Sequence, residues 1–399
     1  MKRQFFGRDL SGLINATRRL LRRRGVVSIL SVMLAAVVAA PLAAQTIIGP
    51  VPRKTGTRPP TGAATPVVSS GPTRTRAEVE ALIQKAGTSA PDWWNSVQLN
   101  YPPTLDLAWP DPKPKEPWTP SKNVGQYFWS VINENPGKWR EGVKLGHHLL
   151  SVNKNNPAVV QKAMNQLGMM YFNLLGDWAR AAFWWRKAGF DDVDLAHCYW
   201  KIGSREMAVA IIGELTFDDT RHGNIIKLWA DMGDFDKAIA LAEASARVGP
   251  PDSAYRAAGD ACRMAGRYQQ ALAYYQKVLA TGGQQGIIKQ NKARAQASID
   301  AIRAVEGLDL SKVRDGTYAA TSIAYAGPLD VAVEIKDGKI LSVKVTKHQE
   351  KQFYTALTDT PAQIVTRQGI KGVDAVTSAT ITSEAIMNAT VKALAKGMQ

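Results

Sequence analysis

LDVAVEIKDGKILSVKVT, residues Leu329 to Thr346, decides how the C-terminal part of the chain folds. Leu329, Val331, Val333 and Ile335 alternate with Asp330, Ala332, Glu334 and Lys336; Leu341, Val343 and Val345 alternate with Ser342, Lys344 and Thr346. A period of two puts successive side chains on opposite faces of a strand, so each run has one face to bury. Asp337-Gly338 between two such runs is a strong hairpin signal, because both residue types tolerate the positive φ that a two-residue turn needs. Gly316 to Tyr325 reads as a preceding strand. Beyond the sheet a final helix is expected from Thr382, with Thr382 as N-cap, Glu384 in the first turn, and Ile386, Ala389, Ala393 and Leu394 as its buried stripe. Residues 311–399 therefore read as a small α+β domain. The sheet and the last helix lie wholly after Leu310, and domains of ~90 residues commonly fold alone, so this one is expected to be autonomous.

Upstream of Leu310 the apolar period is helical, and an internal repeat runs through residues 157–305. A Gly followed five residues later by Ala recurs as Gly176/Ala181, Gly203/Ala208, Gly233/Ala238 and Gly266/Ala271. Each unit reads as helix, Gly-containing turn and second helix, with Ala where the two helices cross closely. The pattern resembles tetratricopeptide repeats, whose period is ~34 residues. The second unit is short and is expected to have trimmed helices, and Ile287 to Val305 supplies a last, capping helix. The fold class expected for the whole is multidomain: an all-α tetratricopeptide-like helical solenoid followed by the small α+β domain. The concave face of such a solenoid is a surface for docking a protein.

Residues 75–156 should form a helix from Thr75 to Ala86, carrying Val79, Leu82 and Ile83, and then a Trp/Pro-rich segment. Trp93, Trp94, Trp109, Trp118, Trp129 and Trp139 are interleaved there with prolines that forbid a long helix. Such a segment is expected to wrap over the repeats and bury its rings on them. Adjacent His147 and His148 point to different sides of a helix, a poor metal arrangement. Cys198 and Cys262 are the only cysteines and read as small buried helix residues.

The formal charge of +16 suggests nucleic acid, but +7 of it sits before residue 25 and nothing focuses the remainder into a basic helix or aromatic RNA-binding signature. Residues Val26 to Ala44 are uncharged and mostly aliphatic, shortly after Arg22-Arg23-Arg24. Residues 1–44 thus read as a signal peptide or membrane anchor, which puts the rest of the chain outside the cytoplasm, in the periplasm or envelope. Residues 45–74, rich in Pro, Gly, Ser and Thr, read as a disordered linker.

Between the sheet and the last helix lies Asp374-Ala375-Val376-Thr377-Ser378-Ala379-Thr380-Ile381-Thr382-Ser383. It resembles the D-x-x-[ST]-G-A-[TS] flavinylation motif of FMN-binding domains, as in the flavin-bearing subunits of the sodium-pumping NADH:quinone oxidoreductase and the Rnf electron-transport complex. The resemblance spans Val313 to Ala395 and includes Asp315 to Tyr318, Gly327-Pro328, the hairpin at Lys336 to Ile340, His348 and Glu350 of an H-x-E segment, and Gln368. It implies FMN held covalently, with the phosphate esterified to Thr380 by a separate flavin transferase that uses FAD and Mg²⁺. Asp374, Thr377, Ser378, Ala379 and Thr382 would complete the cofactor-binding motif, and His348 and Glu350 would wall the flavin or transferase site. The chain departs from the pattern at Ser378, where Gly is usual, and at Lys351-Gln352, which replaces Thr-Pro-Gly.

The residues support the same reading independently. A hydroxyl just before a helix N-terminus brings an attached phosphate to unpaired N–H groups and the positive end of the dipole. Ser at 378 is tolerable unless that residue needs positive φ. Phe353 and Tyr354 stack on the flavin or fill the core. There is no G-x-G-x-x-G dinucleotide fingerprint, so an electron-transfer protein or redox-complex subunit is expected rather than a stand-alone enzyme, with membrane-bound or soluble redox proteins as partners. The competing reading is a non-flavinylated interaction scaffold of the cell envelope.

Overall fold

A computed structural model describes residues 73–110, 119–215, 222–351 and 354–398. The expected export segment and all but the end of the expected linker, together with Trp118 and Phe353, lie outside them. The described residues belong to one compact unit, Ala64–Gln399.

Helix α1 (Arg76–Thr88) opens on a capping box: the Thr75 hydroxyl accepts from the Glu78 N–H while the Glu78 carboxylate accepts from the Thr75 N–H. Its buried residues Val79 and Ile83 pack on the helical region. The Trp/Pro segment follows irregularly, with one short helical turn (Val124–Tyr127) that runs into a π-helical turn at Phe128–Ile132. Trp93, Trp94, Trp109 and Trp139 are half-buried against the first hydrophobic cluster, whereas Trp129 is 38% exposed. His147 is wedged edge-on between Trp94 and Trp184, and burial pushes its pKa down to about 4. His148 pairs instead with the Tyr101 hydroxyl at 3.1 Å.

The helical region comprises α2 (Trp139–Val152), α3 (Pro157–Asn173), α4 (Trp178–Ala188), α5 (Val193–Lys201), α6 (Arg205–Ile212), α7 (His222–Asp231), α8 (Phe235–Val248), α9 (Pro251–Met264), α10 (Tyr268–Ala280) and α11 (Gly286–Glu306). The Gly/Ala spacing has one physical meaning in all four units. Gly176, Gly203, Gly233 and Gly266 have φ of 62°, 105°, 81° and 71°, the left-handed region that ends one helix and aims the next. Ala181, Ala208, Ala238 and Ala271 are each 0% exposed, inside the hydrophobic clusters of the helical region. The second unit is the short one, with helices of 9 and 8 residues. Cys198 and Cys262 are free and buried.

The C-terminal sheet is β1 (Gly316–Ile323), β2 (Pro328–Lys336) and β3 (Lys339–Lys347), antiparallel in that order. The hairpin turns at Asp337 and Gly338, both at positive φ, 50° and 67°. On β2, Leu329, Val331, Val333 and Ile335 all face inward. The expectation for β3 needs correction at its start. Ile335 pairs with Ile340 but Glu334 pairs with Ser342, so Leu341 is the extra residue of a β-bulge; it is 48% exposed, and Ile340 is buried in its place.

Two helices complete the domain, α12 (Ala356–Arg367) and α13 (Thr380–Gly397). The expected start of the last helix is also corrected. It begins at Thr380, Thr382 is its buried third residue rather than its cap, and Glu384 is held by Arg263 of α9. Nor is α13 buried on one stripe only. Thirteen of its 18 residues are buried, because it lies between the sheet on one side and α11 and α12 on others. Arg263 donates to Asn388 at 2.8 Å, and Asn388 to Ser298 of α11 at 3.1 Å. Arg294 of α11 donates to the carbonyls of Ala324 and Tyr325, each at 3.0 Å. Polar groups buried this way need their partners, so residues 311–399 share a buried hydrogen-bond network with the helical region.

Candidate functional site

The stretch from Asp374 to Thr380 is a loop between α12 and α13, and α12 fixes its entry. Gln363 accepts from the Asp374 N–H and donates to the Asp374 carbonyl, both at 2.9 Å. Ser383, in the first turn of α13, accepts from the Val376 N–H and from the Thr360 hydroxyl, each at 3.0 Å. Between these anchors the Ala379 N–H closes a turn on the Val376 carbonyl at 3.0 Å, and Ser378 in that turn has φ +61°. The family pattern has Gly at this position, and the positive φ supplies the reason. Ser there carries a conformational cost of about 1 kcal/mol.

The rest of the site comes from the helical region. Asp374 receives Lys227 Nζ at 2.7 Å and Lys201 Nζ at 2.9 Å, from α7 and the end of α5. Lys227 also pairs with Asp231, one turn on. The Thr377 hydroxyl meets the ring of His197, Ser378 Oγ donates to Asp194 Oδ1 at 3.3 Å, and Asn224 donates to Ser378 Oγ at 3.4 Å. Every polar side chain from Asp374 to Ser378 thus ends on α5 or α7.

The electrostatics follow from two carboxylates sharing one buried ammonium. Burial raises the Asp231 carboxyl to about 7, the pull of Lys227 being offset by the nearby Asp374 charge. Burial alone would raise Asp374 too, but Lys227 and Lys201 outweigh it and hold that carboxyl well below the usual range. His197 is wholly buried beside both lysines, and burial first, then their charge, holds it neutral.

Thr380 is half-buried at the first position of α13, an 18-residue helix whose N-terminus no side chain caps. Among the described residues no side chain hydrogen-bonds to its hydroxyl. Ala379, the N-cap residue, is buried. His348 and Glu350 lie elsewhere: Glu350 is buried and accepts from the Ala326 N–H at 3.0 Å beside the β1–β2 turn, while His348 is exposed and edges onto Tyr354. No side-chain bond joins either to the loop from Asp374 to Ala379 among the described residues. Tyr354 fills core space, stacked near Trp139 with its hydroxyl on the Glu350 carbonyl at 2.9 Å.

Sequence reasoning did not find Lys201, Lys227, His197, Asp194, Asn224 or Asp231. The one signal was Lys227 within the apolar run Ile225-Ile226-Lys227-Leu228, with Asp231 four residues on, the spacing of a buried intrahelical pair. Nothing in the sequence ties that pair to residue 374.

Residues 324–395 match a family model described as FMN-binding domain. Nothing among curated proteins or solved structures matches the chain. The match covers β2, β3, α12, the loop from Asp374 to Ala379 and most of α13, so the chain carries an FMN-binding domain behind a helical region.

Proposed function

We propose that the protein is a flavoprotein bearing FMN as a phosphoester of Thr380, exported or anchored through its N-terminal segment, and that it carries electrons outside the cytoplasm. The observation that carries this reading is the position of Thr380, at the uncapped start of α13 within the domain that matches the FMN-binding family. A phosphate there meets the unpaired N–H groups of the first helical turn and the positive end of the helix dipole, so the residues present fit the group.

FMN, when bound, supplies the one- and two-electron chemistry. The chain's residues hold and orient. Thr360 and Ser383 fix the end of the loop, Gln363 fixes its start, and the lysines neutralise Asp374 so that its charge does not oppose a phosphate six residues on. The helical units, read as tetratricopeptide-like, leave outer surface for a redox partner.

The exported chain, co-expressed with an FAD- and Mg²⁺-dependent flavin transferase, should fluoresce on a denaturing gel, and Thr380→Ala should abolish that signal while the fold survives. Mass spectrometry of the peptide from Gly372 to Lys392 locates the adduct. An adduct on Thr377, Ser378 or Thr382 would overturn the assignment, and a colourless band from exported protein with active transferase would favour the envelope-scaffold reading.

A further inference from the structure

The FMN-binding family pattern builds its acceptor turn from a glycine, and this chain does not. Ser378 nevertheless takes φ +61°, a conformation that a side chain disfavours. The local sequence offers little to hold it there, since its neighbours Thr377 and Ala379 have no preference for a left-handed turn. Beyond the anchors at Gln363 and Ser383 that fix the ends of the loop, the side chains that hold the turn are remote. Asp194 and Asn224 take both hydrogen-bonding capacities of the Ser378 hydroxyl, His197 takes Thr377, and Lys201 with Lys227 anchors Asp374. These partners lie on two neighbouring helices, α5 and α7, at least 147 residues away in sequence. The three side chains that they hold, Asp374, Thr377 and Ser378, belong to the acceptor motif, while Thr380 is left clear of them.

We propose that α5 and α7 form the second half of the acceptor site, with Lys201, Asn224 and Asp194 as positioning residues that impose on Ser378 the turn a glycine would otherwise provide, and so present Thr380 for covalent attachment. The inference rests on attachment at Thr380. In that step a bond forms between Thr380 Oγ and the FMN-side phosphorus of FAD, the pyrophosphate bond breaks, AMP leaves, and the hydroxyl proton passes to solvent or the transferase. The positioning residues touch none of the reacting atoms. Their effect is on how often the loop presents Thr380 in the geometry the transferase requires.

The test uses the full chain carrying Lys201→Met or Asn224→Ala, each alone and combined with Ser378→Gly. Both sites are partly exposed, so folding should survive. Two quantities are read: the initial rate of covalent flavin incorporation with FAD, Mg²⁺ and flavin transferase, and amide hydrogen exchange of residues 373–381 in the flavin-free protein. Each single variant should slow incorporation roughly three- to tenfold, the range of ~1 kcal/mol of lost positioning, and raise exchange in the loop but not in α9 and α10. Ser378→Gly should restore the incorporation rate in both, because glycine needs no clamp. Val278→Ala, a core truncation in α10, lowers stability without touching the loop; its incorporation rate should match the unmodified chain and gain nothing from Ser378→Gly. Unchanged rates and exchange in both clamp variants, or a slowed rate that Ser378→Gly does not repair, would overturn the proposal. Absence of covalent flavin from every chain would instead sink attachment at Thr380 and the role in attachment with it, while the exchange measurement still decides whether the helices clamp the loop.

Discussion

Three non-glycine residues of the C-terminal domain lie in the left-handed region, Asp337, Gln368 at the end of α12, and Ser378, and the first and last reach it by opposite routes. At the β2–β3 hairpin, Asp337 has φ +50° and is followed by Gly338 at +67°. Aspartate tolerates that region, glycine is at ease in it, and the twist of the flanking strands demands it. Asp315, just ahead of β1, adds a single brace from within the same domain, accepting from the Asp337 N–H at 2.9 Å. At the turn before α13 Ser378 has φ +61°, no glycine adjoins it, and five side chains from α5 and α7 surround the loop. A turn coded by neighbours in sequence forms wherever the strands form. One coded by remote side chains exists only while two parts of the chain are packed together.

That contrast is broken most severely by separating the parts. Residues 311–399 expressed alone should fail to give a dispersed NMR spectrum, because α13 then loses α9 and α11 and exposes Asn388, whose relative exposure in the fold is 2%. A well-folded isolated domain would show that the sheet and its two helices suffice. Next in size is Lys227→Met, which leaves Asp231 without its ammonium and Asp374 with only one; stability measured by urea titration should fall by about 3 kcal/mol, the scale of breaking a buried ion pair from one side. Gly338→Ala in the hairpin should leave the loop on α5 and α7 intact.

The same cluster predicts a pH response. The folded chain keeps a proton on Asp231 up to about 7, whereas an unfolded aspartate loses it near ~3.9, so this group's contribution to stability falls as pH rises through that interval. His197 works the other way: it stays neutral in the fold, an unfolded histidine takes up a proton below ~6.5, and stability falls as pH drops beneath that value. The two slopes oppose each other across their shared range. Asp231→Asn should uncover the histidine slope, so that acidification from pH 6.5 to 5 costs the variant about 2 kcal/mol more than the unmodified chain. Parallel stability curves would mean that Asp231 is ionised throughout.

The smallest effects compare the turns directly. Gly338→Ala should cost about 1 kcal/mol, the penalty of a side chain in the left-handed region. Ser378→Gly should change stability by less, because relief of that penalty is offset by loss of the hydroxyl's bonds to Asp194 and Asn224. Equal and opposite shifts in melting temperature would show that the remote bonds contribute nothing to the acceptor turn.

From sequence alone came those features whose causes are local. The alternation of Leu329 to Ile335 and the Asp337-Gly338 turn specified the hairpin, since a strand period and a two-residue turn are properties of neighbouring residues. The Gly/Ala spacing specified four helix pairs for the same reason, each glycine ending one helix and each alanine admitting the next. Thr380 was legible as a motif position. The bulge at Leu341 was not, because it depends on the register against β2, and neither was the start of α13 at Thr380, where packing on α11 and α12 lets the helix begin without a capping side chain. Only the tertiary structure decided that Asp374, Thr377 and Ser378 rest on Lys201, Lys227, His197, Asp194 and Asn224. The attraction between a carboxylate and two ammonium groups acts through a few ångströms of space, and the folding of the intervening chain alone brings residues 201, 227 and 374 within that reach.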